Sequence, residues 1–129
     1  MHLPSLEEKC SKYFYYKDFF ECADTYKQNV IENIPSQIAT YKAIVDISQF
    51  VLDKVYDQFG SLELTYGFCG KELQKKITKN IFPKGDQHAG FEQNDNGNLI
   101  CSRGGMAVDF LIKDISSLTV ARWIVLNCQ

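Results

Sequence analysis

Two side chains in this sequence, Asp109 and His88, have the chemistry to bind a metal ion or transfer a proton. Asp109 lies inside an apolar run, residues 107–111, where burying an ionised carboxylate is costly unless it is paired or binds a metal. His88 lies in a loop and is the only histidine outside the N-terminal tip. The ordinary alternatives are that Asp109 accepts hydrogen bonds from backbone amides or pairs with Arg103, and that His88 is a surface residue.

Arg103 and Cys101 lie between these two side chains. Arg103 precedes two glycines, which let a backbone approach a ligand closely, and its guanidinium is a forked donor for a carboxylate or phosphate. The alternative for Arg103 is a salt bridge to Asp86 or Asp109. Cys101 could supply a thiolate to zinc, although a small buried hydrophobic side chain is the more common role of a free cysteine.

The elements that must position these side chains can be predicted from local patterns. Apolar residues at helical spacing predict a long helix that opens at Pro35 and ends at Gly60. Alternation over residues 62–66 predicts a strand with one buried face. Apolar residues at four-residue spacing then predict a short amphipathic helix from Leu73 to Pro83.

The second half of the chain is predicted to contain a turn, a strand and a final helix. The Asn-Asp-Asn-Gly-Asn run at 94–98 is typical of a tight turn. Residues 106–112 are apolar on both faces apart from Asp109, which predicts a central strand. Asp114 is expected to cap a helix that runs through Leu126. The predicted fold class is therefore α+β, a small antiparallel sheet packed with helices.

Length, composition and charge narrow the class of protein. A chain of 129 residues suits a single domain, here with an aromatic-rich N-terminal segment, 1–35, and a core, 36–129. The aromatic rings are expected to pack onto the core, with a stacking wall or partner surface as the alternative. The net charge of −2 argues against general nucleic-acid binding.

The cellular setting is also predicted from composition. No apolar run approaches the roughly 20 residues that a membrane span needs, and the N-terminus does not resemble a signal peptide. The five cysteines are odd in number and lack CxxC spacing, which argues against a disulfide framework. We therefore expect a cytoplasmic protein that does not enter the membrane.

The order of these motifs resembles the metal-binding core of the M15 zinc peptidases, the D-Ala-D-Ala carboxypeptidase and hedgehog type. That family carries S-x-H-x-x-G-x-A-x-D. Asp-Gln-His at 86–88 resembles its S-x-H part, with Asp86 in the serine position, and Gly-Met-Ala-Val-Asp-Phe at 105–110 resembles its G-x-A-x-D part. An insertion, 89–104, which contains the predicted turn, separates the two parts. The long helix, the strand and the turn at 66–73 are similar to the family's preceding elements, so the resemblance covers about residues 38–126. It implies an M15-like fold with His88 and Asp109 as zinc ligands.

The sequence departs from this family at positions that matter for catalysis. Cys69 stands where the family has an arginine that holds the substrate or the transition-state charge. No histidine or glutamate follows Asp109, so the family's third zinc ligand and its catalytic base are missing from that stretch. A catalytic zinc site normally needs three protein ligands. Cys101, a neighbouring chain or a further segment would have to supply the third.

Three functions are consistent with this sequence. We favour a non-catalytic protein that binds, and so sequesters, a small anionic or peptide-like ligand in the former active-site cleft. Besides His88, the expected lining residues are Arg103, Asp86, Tyr66 and Phe91.

The second function is an active zinc-dependent M15-type carboxypeptidase or hydrolase, with zinc held by His88, Asp109 and Cys101. The third is a phage or mobile-element protein that binds a host partner. A missing metal ligand and an unfinished sheet edge are also compatible with a homodimer.

Overall fold

The computed structural model describes residues 2–29, 31–76 and 85–128. A π-helical turn, Ser48–Leu52, joins two of the helices, and a 3₁₀ turn, Gly85–His88, precedes the second strand. The helices are α1 (Tyr16–Phe20), α2 (Asp24–Asn29), α3 (Ile38–Ile47), α4 (Asp53–Phe59), α5 (Lys71–Gln74) and α6 (Ser117–Asn127), and the strands are β1 (Glu63–Tyr66) and β2 (Asp109–Leu111). The α+β class predicted from the sequence is confirmed.

The predicted long helix is present as α3, the π-helical turn and α4. Its buried stripe includes Ile44, Leu52 and Val55, each fully shielded from solvent. In the π-helical turn, the Ser48 hydroxyl donates a 2.6 Å hydrogen bond to the carbonyl of Ile44. The segment ends at Gly60, whose φ of 91° is unfavourable for a residue with a side chain. The helix begins at Ile38, three residues later than Pro35.

A buried carboxylate from a distant loop caps the start of this helix. Gln37, at the N-cap of α3, makes no side-chain capping bond. Glu92 accepts hydrogen bonds there instead, from Ser36 N (2.7 Å), Ser36 Oγ (2.8 Å), Gln37 N (3.1 Å) and Thr40 Oγ1 (2.6 Å). These bonds satisfy the backbone amide at the N-cap and three further donors beside it, and they fix the loop after His88 against the start of α3.

The aromatic N-terminal segment packs into the main core. Its buried rings contact residues of the long helical segment and of the stretch after β1; Phe20 meets the Phe68 ring edge-on, with centroids 5.8 Å apart. The buried aromatic residues of this segment are Phe14, Tyr16, Phe19 and Phe20. The expectation that these rings pack onto the domain is confirmed.

The described part of the chain contains one sheet, in which β1 and β2 pair antiparallel. The prediction of a central strand over residues 106–112 is wrong, because β2 has three residues and a single partner. Its apolar neighbours pack against helical residues instead. Met106, Val108 and Phe110 contact the main core, and Ile112 packs with Val120 of α6. The apolar residues on both faces of this segment are therefore buried against helices rather than between neighbouring strands.

The turn at 94–98 is confirmed, whereas the predicted cap of the last helix is wrong. The amide of Asn94 donates to the carbonyl of Asn98, and Gln93 bridges to Leu99. The cap of α6 is Ser116, whose hydroxyl oxygen accepts from the Thr119 amide at 3.2 Å. Asp114 stands two residues earlier, in the turn, with a φ of 63°.

Two further sequence expectations concern the middle of the chain and the membrane. Of the short helix predicted from Leu73 to Pro83, α5 covers only Leu73 and Gln74, and residues 75–76 form a turn. The rest of that prediction, 77–83, lies outside the described residues. Within residues 2–29, 31–76 and 85–128, no helix is long and apolar enough to cross a bilayer.

Candidate functional site

His88 is buried and fixed through both its ring and its backbone. Its side chain is 0% exposed. The ring Nδ1 lies 2.9 Å from the carbonyl oxygen of Gly67, and the His88 carbonyl accepts from the Cys69 amide at 3.0 Å. This arrangement requires a glycine at position 67, because a Cβ there would lie only 2.5 Å from the Phe19 carbonyl oxygen. The close approach of α1 to the end of β1 therefore positions the carbonyl that holds the ring.

The contact with Gly67 defines the protonation of the neutral His88 ring. A carbonyl oxygen only accepts hydrogen bonds, so Nδ1 must carry the proton and Nε2 must present a lone pair. Nε2 lies 3.9 Å from Oδ1 of Asp109, beyond hydrogen-bond distance. Among the described residues, Nε2 is one of two buried side-chain nitrogen or oxygen atoms without a hydrogen-bond partner.

The charge state of His88 follows from its surroundings. Burial lowers the pKa of His88 below its usual value, while the Gly67 carbonyl, the Asp109 carboxylate and the Ala107 carbonyl act in the opposite direction. The lowered pKa favours a neutral ring at pH 7. The His88–Asp109 pair then consists of two acceptors that face each other, an arrangement that favours a hydrogen-bond donor or a cation between them.

Asp109 forms the solvent side of this pair. The sequence suggested a buried carboxylate, but the side chain is 47% exposed because β2 is short and lies at the edge of its sheet. Asp109 also borders a groove of about 330 Å³ between β2 and α6. Ile112, Ile115 and Ile124 line the groove, so apolar surface lies next to the carboxylate. Grooves of this size accommodate small ligands.

Tyr66 is the third member of the site. Its ring meets the His88 ring at 66°, with centroids 4.1 Å apart, and the sheet register places it opposite Asp109. Its hydroxyl is buried and makes no hydrogen bond of normal geometry in the described part of the chain; its nearest polar interaction is with the Cys69 thiol. Burial, then the neighbouring Cys69 thiol and the Asp109 charge, raise the pKa of Tyr66, so the hydroxyl keeps its proton and remains a donor.

The structure does not bring Cys101 into this site. The Cys101 thiol is buried and lies 3.9 Å from the carbonyl of Gly104, in its own turn. The described residues contain no group of three or more histidine, cysteine, aspartate or glutamate side chains that could hold a metal ion. His88 and Asp109 fit two positions of a zinc site, but the described side chains do not complete a catalytic one.

The other predicted lining residues are dispersed. Phe91 lies in a separate apolar groove of about 540 Å³ beside α3, together with Ile47, Phe50 and Met106. Arg103 is exposed, and the described residues include no ion pair between it and Asp109. The side chain of Asp86 lies outside the described part of the structure. Of the predicted set, His88, Asp109 and Tyr66 come together.

Sequence reasoning missed the roles of Gly67 and Cys69 at this site. Gly67 is needed where α1 approaches the end of β1, and the Cys69 thiol lies beside the Tyr66 hydroxyl. A glycine directly after a strand signals a close backbone approach, and that signal is present in the sequence. No local pattern indicates that the carbonyl of Gly67 meets His88.

Comparison with protein-family models, with curated proteins and with solved structures found no match for this chain. The site must therefore be interpreted from its own geometry.

Proposed function

We propose that this chain is an M15-peptidase-like domain that binds a small peptide-like ligand at the His88–Asp109 pair without hydrolysing it. The carrying observation is that Nε2 of His88 and Oδ1 of Asp109 lie 3.9 Å apart as two unbridged acceptors. An ammonium or amide N–H of a ligand would donate to both. Asp109 is half exposed and borders the apolar groove, so a ligand would reach the carboxylate first, and the buried Nε2 of His88 would become accessible to it only when the Asp109 side chain moves.

A ligand with a donor fits this pair better than an anionic one. A carboxylate or phosphate would bring negative charge against Asp109 and a lone pair against Nε2. Arg103, the residue expected to attract an anion, is exposed on the turn before Gly104. A peptide-like ligand offers both an ammonium group and amide N–H groups, so we favour it within the ligand classes suggested by the sequence.

The absence of catalysis is proposed from the composition of the site. The arginine that the M15 family uses is replaced by Cys69, which is buried and whose pKa is raised by burial. Burial favours the neutral thiol, so Cys69 offers neither positive charge for a transition state nor a nucleophilic thiolate at neutral pH. The described side chains near the pair include no glutamate in the role of a base.

One observation favours the second function, a zinc-dependent hydrolase of the M15 type. Metal-binding histidines usually donate their other ring N–H to a carbonyl or carboxylate, and Nδ1 of His88 does so to Gly67. A third ligand from beyond the described residues or from a second copy in a homodimer would be required. This function stays the weaker of the two proposals.

The test is a titration of the ¹³C- and ¹⁵N-labelled protein with D-alanyl-D-alanine and with propylamine at pH 7.5, observed at the His88 ring signals. Both compounds carry an ammonium group and should shift these signals. Asp109→Asn should abolish the shifts, whereas Asp114→Asn removes the same charge from an exposed turn and should preserve them. If neither compound moves the His88 signals, the proposed function is wrong. Cleavage of the dipeptide with added zinc would establish the hydrolase instead.

We place this function in the cytoplasm, as composition suggests. All five cysteines, Cys128 included, are free thiols, which suits a reducing compartment. Mass measurement of thiol-specific adducts from freshly lysed cells would test this proposal, because an exported protein would carry oxidised cysteines.

A further inference from the structure

The strand β2 has an open edge that faces a groove. Within the described chain β2 pairs with β1 alone, and alternate residues of a strand turn their N–H and C=O groups away from a single partner. The groove of about 330 Å³ between β2 and α6 is lined by five consecutive residues, 108–112. A cavity over one face of a strand touches every second residue, so this groove follows the edge itself.

Apolar side chains are exposed on both sides of this open edge. Leu111 of β2 is 58% exposed, and Leu118 of α6 is 59% exposed. Arg122 is the single charged residue of α6, and the apolar residues of this helix occur on all of its sides. Helices that are apolar all round are normally covered all round, and apolar edge strands readily pair with a further strand. Both features indicate that this side of the molecule binds another protein segment.

The charges along the open edge are self-complementary. Asp109 begins β2 and Lys113 follows its end, and each stands two residues from Leu111. Side chains two positions apart lie on the same face of an extended strand. When two copies of this segment pair antiparallel with Leu111 opposite Leu111, Asp109 of each copy lies opposite Lys113 of the other. Two ion pairs then flank one apolar contact.

Both charged side chains are accessible for this pairing. Lys113 is exposed, and it takes no part in the ion pairs formed within residues 2–29, 31–76 and 85–128. Asp109 is half exposed and faces His88, whose lowered pKa favours a ring without charge at pH 7. Neither end of the edge is therefore neutralised by an opposite charge in this part of the chain.

We infer that two copies of this chain pair antiparallel through β2, with Leu111 on the two-fold axis and one Asp109–Lys113 ion pair on each side of it. The same patch serves both copies, which is the condition for a closed two-fold dimer. The joined sheet has the strand order β1-β2-β2-β1. Both α6 helices lie on the same face of this sheet, next to the new strand pair.

A second copy fits this edge better than an unrelated strand. An unrelated peptide can also add to an open edge, but it must bring a cation opposite Asp109 and an anion opposite Lys113 at the right spacing. The chain itself carries that pattern at 109–113. The dimer does not depend on the proposed function. If both hold, the second copy and the ligand compete for the carboxylate of Asp109.

Sedimentation velocity over a series of protein concentrations, without ligand, tests the pairing through charge reversal. Asp109→Lys gives a chain with cations at both ends of β2, and Lys113→Asp gives a chain with anions at both ends. Each variant alone should dimerise about tenfold more weakly than wild type, because both ion pairs become repulsive. An equal mixture of the two variants should dimerise like wild type, because every pair is again of opposite charge. The control Lys76→Asp reverses a charge on the exposed turn after α5 and should leave the dimer unchanged.

The mixture distinguishes lost pairing from lost folding, since misfolded chains would not recombine. A dimeric wild type, weakened single variants and a restored mixture support the inference. It is overturned by a wild type that stays monomeric at every concentration, by variants as dimeric as wild type, by a mixture that stays monomeric, or by an equal weakening in Lys76→Asp. None of these results decides the proposed function, whose test is observed at the His88 ring.

Discussion

Nε2 of His88 lies 3.9 Å from Oδ1 of Asp109, and neither atom has a proton to share with the other while the ring is neutral. The ring is held by the carbonyl of Gly67, so it cannot exchange its two nitrogens without losing that bond. The carboxylate is half exposed, so solvent does not hold it in one position as the Gly67 carbonyl holds the ring. The pair therefore lacks one hydrogen-bond donor, which a side chain at position 109 could supply.

Asp109→Asn should stabilise the protein and abolish ligand binding. The asparagine amide can turn its NH₂ toward Nε2 and supply the missing donor, and one new hydrogen bond contributes about 0.5–1.5 kcal/mol to the free energy of unfolding. The same bond closes the site to a ligand donor. Urea unfolding of the variant, with Asp114→Asn as the control for lost charge, measures the effect. A loss of stability in Asp109→Asn alone would show that the carboxylate has a partner that the charge-neutral amide cannot replace.

The tautomer of His88 should be the Nδ1–H form. Gly67 O accepts from Nδ1 at 2.9 Å, and the lowered pKa keeps the ring neutral near pH 7. Long-range ¹H–¹⁵N correlation spectra distinguish the two ring nitrogens directly, and His2 supplies the only other histidine signal. An Nε2–H tautomer would place a donor toward Asp109, which would contradict the basis of the proposed binding site.

The long helical segment and the aromatic core could be predicted because both depend on local patterns. The buried stripe through Ile44, Leu52 and Val55 follows the helical period, and aromatic residues are driven to the interior by their area. The environment of the site could not be predicted in this way. His88 is buried by a contact with Gly67, twenty-one positions away, and Asp109 is exposed because its strand is short and has one neighbour.

The structural role of Glu92 could not be predicted from the sequence either. In the sequence it is one acid in a polar loop, whereas the fold places it at the start of α3. Its nearest bond, 2.6 Å to Thr40, joins residues 52 positions apart. No local pattern contains that information, because the acceptor and the helix it caps are distant in the chain.

Glu92→Gln should therefore destabilise the fold. The carboxylate accepts from four donors on Ser36, Gln37 and Thr40, while glutamine offers one oxygen and turns an NH₂ group toward the remaining donors. Losing bonds to a charged, buried acceptor should lower the free energy of unfolding by about 2–4 kcal/mol. The control variant Glu72→Gln removes the same charge from an exposed ion pair with Lys75, and it should change the free energy of unfolding by less than about 1 kcal/mol. Equal losses in the two variants, measured by urea unfolding, would exclude a special role for Glu92.

The stability of the protein should fall in alkaline solution through Cys10. Its thiol is buried, contacts the Phe14 carbonyl at 3.4 Å, and has its pKa raised by desolvation from 9.0 to about 11. Because the pKa is raised in the folded state, the unfolded chain releases the Cys10 proton first as the pH increases. The contribution of the Cys10 thiol to the free energy of unfolding is therefore fully present below pH 9 and is lost as the pH rises toward 11. The difference between the pKa values in the unfolded and folded states corresponds to a loss of at most about 3 kcal/mol in the free energy of unfolding.

Cys10→Ser isolates this effect, since serine keeps a donor for Phe14 and does not titrate in this range. The difference in free energy of unfolding between wild type and variant, measured in urea at pH 8, 9 and 10, should shrink as the pH rises, because wild type alone loses the Cys10 contribution. Lysine and tyrosine residues titrate in both proteins and cancel in the difference. A difference that stays constant from pH 8 to 10 would mean that burial does not hold the proton on Cys10.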